Sequence, residues 1–73
     1  MIDNWRMIKG YEGSYWISCF GDIKNKRGKI LTPIILSGGI KVIDLYGEGL
    51  RERKLIDVLL RENYPELFTG EEL

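Results

Sequence analysis

Four cations, Lys24, Lys26, Arg27 and Lys29, fall within six residues beside one glycine, Gly28. Side chains of this type, crowded onto a tight turn, can neutralise and hydrogen-bond phosphate groups. The competing reading is a solvated turn whose lysines blunt a sheet edge. Lys41 adds a cation a little further along. Other chemistries are poorly supplied. The chain has no histidine, which removes the commonest acid–base group and metal ligand. No metal site and no cofactor are expected. Cys19 is the one cysteine, so no internal disulfide forms, which fits a reducing compartment. It reads as a small buried hydrophobe rather than a nucleophile. Ser14, Ser18 and Ser37 have no base to activate them. Gly10 and Gly13 lack the GxxxxGK[ST] spacing of a phosphate loop and read as turn residues. An enzyme is not expected.

Aromatic and acidic residues offer the remaining contacts. Trp5, Tyr11, Tyr15 and Trp16 could stack on bases or on a partner's side chains. Trp5 and Tyr15 are assigned to the core, Tyr11 is left open, and Trp16 is the better exposed candidate. The charge is zero overall but unevenly spread. Residues 1–43 carry seven Lys and Arg against three Asp and Glu, a net +4. Residues 44–73 carry four against eight, a net −4. Asp57, Glu62 and Glu66 in the acidic part are candidates for binding a basic protein partner or for mimicking nucleic acid. The plainer reading is a solvated helix face.

These residues must be placed by a small frame. Seventy-three residues make one small domain with a limited core. With 44% hydrophobic and 30% charged residues, the chain belongs with folded, soluble domains rather than disordered ones. No apolar run approaches the ~20 residues of a membrane span. Met1-Ile2-Asp3-Asn4-Trp5 does not begin a secretory signal. No membrane contact is expected, and a cytoplasmic setting is.

Gly10 to Gly13 bracket a tight turn, and Tyr15 to Ser18 alternate as a strand. Tyr15 and Ile17 then share one face, Trp16 and Ser18 the other. Gly21 is read as needing a positive backbone angle. Asn25 to Gly28 form a hairpin tip, with Gly28 in the left-handed position. Pro33 marks an edge or an irregular exit. Ile40 to Tyr46 is the clearest strand, Gly47-Glu48-Gly49 turns, and Leu50 to Arg53 add a short last strand. Leu55, Ile56, Val58, Leu59 and Leu60 then switch to helical period, for about three turns. Tyr64-Pro65 stops the helix. The spacing predicts an α+β fold: a small antiparallel sheet of three to five strands with one C-terminal helix packed on it. The sheet should occupy about residues 5–53, the helix about 54–64 and an acidic tail 65–73, docked by Leu67 and Phe68.

The run Trp5-x-x-Ile8-x-Gly10-Tyr11-Glu12-Gly13-x-Tyr15-x-Ile17-Ser18-x-Phe20-Gly21-x-Ile23 resembles the nuclease-associated modular domain of the fourth class, NUMOD. The likeness continues through Lys24, the basic segment Lys26-Arg27-Gly28-Lys29-Ile30-Leu31 with Pro33, and Gly39-Ile40-Lys41-Val42-Ile43-Asp44-Leu45. It covers residues 3 to about 45 well and 50 to 69 more loosely. Three positions depart from the family pattern. Cys19 replaces an asparagine, Ile40 a tyrosine, and Leu55-Ile56-Asp57 lacks the histidine usual at the start of the family's helix.

Members of the family lie beside HNH catalytic domains in homing endonucleases of phages and bacteria. The resemblance therefore implies a DNA-binding module of phage or mobile-element origin, working in the host cytoplasm. Double-stranded DNA would meet Lys24, Lys26, Arg27, Lys29, Lys41 and Trp16. An HNH site needs histidine, so the expectation is a free-standing module and not a nuclease. The alternative is a phage accessory or inhibitor protein that binds a host protein through Asp57, Glu62 and Glu66 or exposed aromatics. Homodimerisation through the strand beside Pro33 is a further alternative.

Overall fold

The computed structural model describes residues 4–72. Asp3 and Leu73 lie outside these, as do the side chains of Glu71 and Glu72. Seven short strands form two antiparallel sheets. The first is a meander of β1 (Trp5–Met7), β2 (Tyr15–Ser18), β3 (Ile23–Asn25) and β4 (Ile30–Leu31), in that spatial order. The second contains β5 (Ile34–Ile35), β6 (Lys41–Gly47) and β7 (Leu50–Leu55), again in sequence order. Helix α1 (Ile56–Asn63) follows β7 directly, and a 3-10 segment spans Pro65–Glu72. The α+β class, the antiparallel pairing and the C-terminal helix match expectation. The strands are split over two sheets because the chain leaves β4 through Thr32-Pro33, and proline cannot donate to a continuing ladder. β4 and β5, on either side of Pro33, are two-residue edge strands, too short to make a broad template for a second chain. Among the described residues no helix is long and apolar enough to cross a membrane.

Strand register decides which side chains turn inward. Arg6 pairs with Ile17, Ile17 with Ile23, and Ile23 with Leu31, so these share the inner face. Ile17 and Ile23 are buried there. Ile43 and Leu45 project inward from β6, and Ile8 and Tyr11 close the core from the β1–β2 loop. α1 packs against β2, β6 and β7, burying Ile56 and Leu59. The helix is shorter than the period suggested, with eight residues or about two turns. Its first expected residues, Lys54 and Leu55, pair instead with Ile43 and Val42. Val58 remains outside the core at 42% exposure.

The helix ends where Tyr64-Pro65 said it should. Tyr64 leaves helical geometry at φ −130° and ψ 58°, as a residue before proline must. Its side chain then does something the sequence did not show. Tyr64 is fully buried, and its hydroxyl donates to the Ile17 carbonyl at 2.9 Å. The Arg6 guanidinium lies 4.2 Å above its ring centroid and donates to the Asn63 carbonyl at 2.7 Å. Asn63 is buried too, accepting from the Lys9 amide at 3.1 Å and donating to the Leu59 carbonyl at 2.8 Å. The end of α1 is thus tied to β1 and β2. The 3-10 segment docks on α1, with Phe68 half-buried beneath the Arg61 guanidinium.

A two-residue turn closes the β6–β7 hairpin. Between β6 and β7 the turn is Glu48-Gly49, with φ of +53° and +79°. Both angles are positive, as a type I′ turn requires. Glutamate is poorly suited to that geometry, whereas asparagine adopts it readily. Glu48→Asn is expected to stabilise the domain by about 0.5–1 kcal/mol. Thermal unfolding followed by circular dichroism should show Tm rising by several degrees. An unchanged or lower Tm would mean that the turn is not strained by Glu48.

Candidate nucleic-acid interface

The β3–β4 hairpin carries the basic cluster on a backbone whose own groups are satisfied. The Asn25 carbonyl accepts from the Gly28 amide at 2.9 Å, and the Asn25 amide donates to the Lys29 carbonyl at 3.0 Å. The Asn25 side-chain oxygen accepts from the amides of Arg27 at 2.9 Å and Lys29 at 3.1 Å. The turn is thus closed by its own asparagine, an Asx arrangement in which the side chain takes up backbone amides. Gly28 has φ +82°, the left-handed angle that a side chain would oppose, and Gly21 has φ +89° at the β2–β3 turn. That second turn is held by Ser18, whose buried hydroxyl accepts from the amides of Phe20 and Asp22 at 3.2 and 3.0 Å.

Lys26, Arg27 and Lys29 are exposed, and among the described residues none is paired with a carboxylate. Lys24 is placed differently. It shares the outer face of the first sheet with Trp5, Met7, Trp16 and Ile30, as the register requires. Its ammonium lies 4.3 Å from the Trp5 ring centroid, a cation–π contact that fixes the ring and leaves the charge at the surface. Trp5 was expected in the core. It is instead half-buried on the outer face, because its partner in register is Ser18 and not the inward-facing Ile17. Trp16 occupies the face expected of it, opposite to Tyr15, and is half-buried between Met7 and Lys24 in register.

Tyr15 and Tyr11 join the two sheets. Tyr15 packs against the core, and its hydroxyl accepts from the Tyr46 amide of β6 at 3.2 Å. Tyr11 is buried, meets Tyr15 edge-on at 6.0 Å between centroids, and donates its hydroxyl to Glu52 of β7. That hydrogen bond to Glu52, reinforced by burial, pushes the Tyr11 phenol up to about 12. The join leaves a groove of about 270 Å³ between the hairpin tip and the second sheet. Ser14, Tyr15, Asn25, Lys26, Arg27 and Tyr46 line it.

Lys41 is not part of this group. It stands at the opposite end of β6 from Tyr46, about 17 Å along the strand. There it borders a separate apolar groove with Phe20, Ile40 and Leu55. The acidic candidates do not converge either. Asp57 accepts from Arg61 one helical turn away at 3.0 Å. Glu66 is clamped by Arg6, which holds its carboxyl below the usual range. Glu62 is exposed. Among the described residues no three His, Cys, Asp or Glu side chains converge on a metal position.

Two residues escaped the sequence reading: Tyr46, 58% exposed, which lines the groove, and Arg51, its partner across β6 and β7. The signal was available. A two-residue turn at Glu48-Gly49 pairs Gly47 with Leu50 and therefore Tyr46 with Arg51.

Residues 3–46, which hold the glycine turns, the basic hairpin and most of β6, match the family model described as the NUMOD4 motif. The chain belongs to the NUMOD4 family. Its fold is also similar to a solved structure, from work titled "DNA binding and cleavage by the HNH homing endonuclease I-HmuI", with a TM-score of 0.78 and 32% identity. That match covers 85% of this chain, more than the residues 3–46 that the family model matches. It covers 36% of the endonuclease, so this chain spans about a third of that protein's length. No curated protein matches the chain.

Proposed function

We propose that this NUMOD4 chain is a DNA-binding module without chemistry of its own, which docks the β3–β4 hairpin on the backbone of duplex DNA. One observation carries the reading. Lys26, Arg27 and Lys29 stand exposed, with no carboxylate partner among the described residues, on a turn that Asn25 closes, inside the segment that matches the family. Lys24, levelled over Trp5, extends the positive surface onto the outer sheet face beside Trp16. The structural similarity to I-HmuI, which binds and cleaves DNA, supports DNA as the partner. The absence of histidine from the sequence argues against the cleavage chemistry of an HNH site. Contacts of this kind position a protein on the backbone and carry little sequence information.

Asp57 and Glu66 spend their carboxylates on Arg61 and Arg6, which favours the basic hairpin over an acidic docking face. Fluorescence anisotropy of a labelled duplex, titrated at several salt concentrations, tests the proposal. With three or four phosphates neutralised, log K should fall against log salt with a slope of about −3. Absence of binding at low salt, or affinity indifferent to salt, would overturn it.

A further inference from the structure

The half of the chain with net charge −4 carries its own contribution to the basic surface. We infer that the groove between the hairpin tip and Tyr46, extended by Arg51, is a seat for one phosphodiester of the bound strand. The contact surface then crosses from the first sheet to the second. The inference rests on the DNA-binding reading above and adds two residues outside the hairpin.

The lining suits a phosphodiester. Lys26 and Arg27 supply charge from one wall, the Ser14 hydroxyl and Asn25 add polar groups, and Tyr46 forms the other wall. No carboxylate is among the lining residues. The space, about 270 Å³, admits a phosphodiester with several waters. The walls are tied to one another, because the Tyr15 hydroxyl accepts a hydrogen bond from the Tyr46 amide and Asn25 closes the tip. A site assembled before binding loses less ordering entropy when the ligand arrives.

Arg51 extends this wall. Residues directly paired across antiparallel strands have Cβ atoms about 5 Å apart on one face. Arg51 is therefore beside Tyr46, on the face of the second sheet that also carries Asp44 and Arg53. Those two differ from it in a way that matters. Arg53 closes on Asp44 with two hydrogen bonds, 2.9 and 3.3 Å, and each neutralises the other. Arg51 is exposed and, among the described residues, makes no ion-pair contact with a carboxylate; Asp44, already held by Arg53, feels its charge only without contact. A guanidinium can meet a phosphate with two parallel N–H bonds. Glu48, the acidic residue on the other side of Tyr46, sits in the turn beyond Gly47.

Arg51→Gln tests the seat, alone and with Tyr46→Phe, against Lys54→Gln as control. Lys54 lies on the same strand, but it alternates onto the opposite face and contacts Glu52 at 3.8 Å. Both single variants remove one positive charge. Duplex anisotropy across a salt series should show Arg51→Gln binding about tenfold more weakly at low salt. Its salt slope should be shallower by about one, with Lys54→Gln unchanged. Adding Tyr46→Phe should weaken binding further without changing the slope, since it removes a neutral hydroxyl. If Arg51→Gln and Lys54→Gln behave alike while Lys26→Glu with Arg27→Glu loses affinity, the seat is wrong and the hairpin reading stands. If the unaltered protein does not bind duplex, both fall.

Discussion

Tyr64→Ala is expected to bring the domain to the edge of unfolding. The side chain is fully buried, and truncating an aromatic ring of this size in a core costs about 3–5 kcal/mol. A chain of this length commands a total stability of about 4–11 kcal/mol. The effect is large because Tyr64 joins three elements at once. Its hydroxyl reaches the Ile17 carbonyl in β2, its ring underlies Arg6 from β1, and its backbone amide closes α1 on the Leu60 carbonyl at 2.8 Å. Tyr64→Phe keeps the ring and the Arg6 stack and loses only the hydroxyl, at a cost of about 1 kcal/mol. Urea unfolding followed by circular dichroism separates the two. A Tyr64→Ala variant within a few tenths of a kcal/mol of the original protein would show that the helix end is not what closes the core.

Lys26→Glu combined with Arg27→Glu acts on binding and leaves the fold alone. Both side chains are exposed, and the turn is held by Asn25 and Gly28, which the substitutions do not touch. Losing two charge-assisted contacts and adding two repulsive charges should lower duplex affinity at least about 100-fold at low salt. Any remaining binding should show a salt slope shallower by about two. Thermal unfolding should be close to that of the original protein. Undiminished affinity would remove the hairpin from the interface.

Much of the frame could be read from local signals. Gly21 and Gly28 take the positive angles expected of them, and Gly10 and Gly13, read as turn residues, have positive angles too. Tyr64-Pro65 ends the helix for the reason any residue before proline resists helical geometry. What escaped reading depends on pairing between distant segments. Alternation shows that Tyr15 and Trp16 face opposite ways, but only the register of β1 against β2 turns Trp5 outward. The apolar run from Leu55 suits a helix start, yet β6 captures residues 50–55 as a strand before the helix can begin. Lys41 belongs to the basic half by sequence, and the length of β6 carries it away from the hairpin. Arg51 belongs to the acidic half, and the turn at Glu48-Gly49 brings it back beside Tyr46. Charge counted along a chain therefore misplaces individual cations that strand pairing redistributes.

The most direct test of the account is to titrate the isotopically labelled protein with a short duplex and follow each backbone amide by NMR. Shifts concentrated at residues 24–29, with Tyr46 and Arg51, would place the DNA where the exposed cations stand. Shifts concentrated on α1 and the 3-10 segment, with residues 24–29 unmoved, would contradict it.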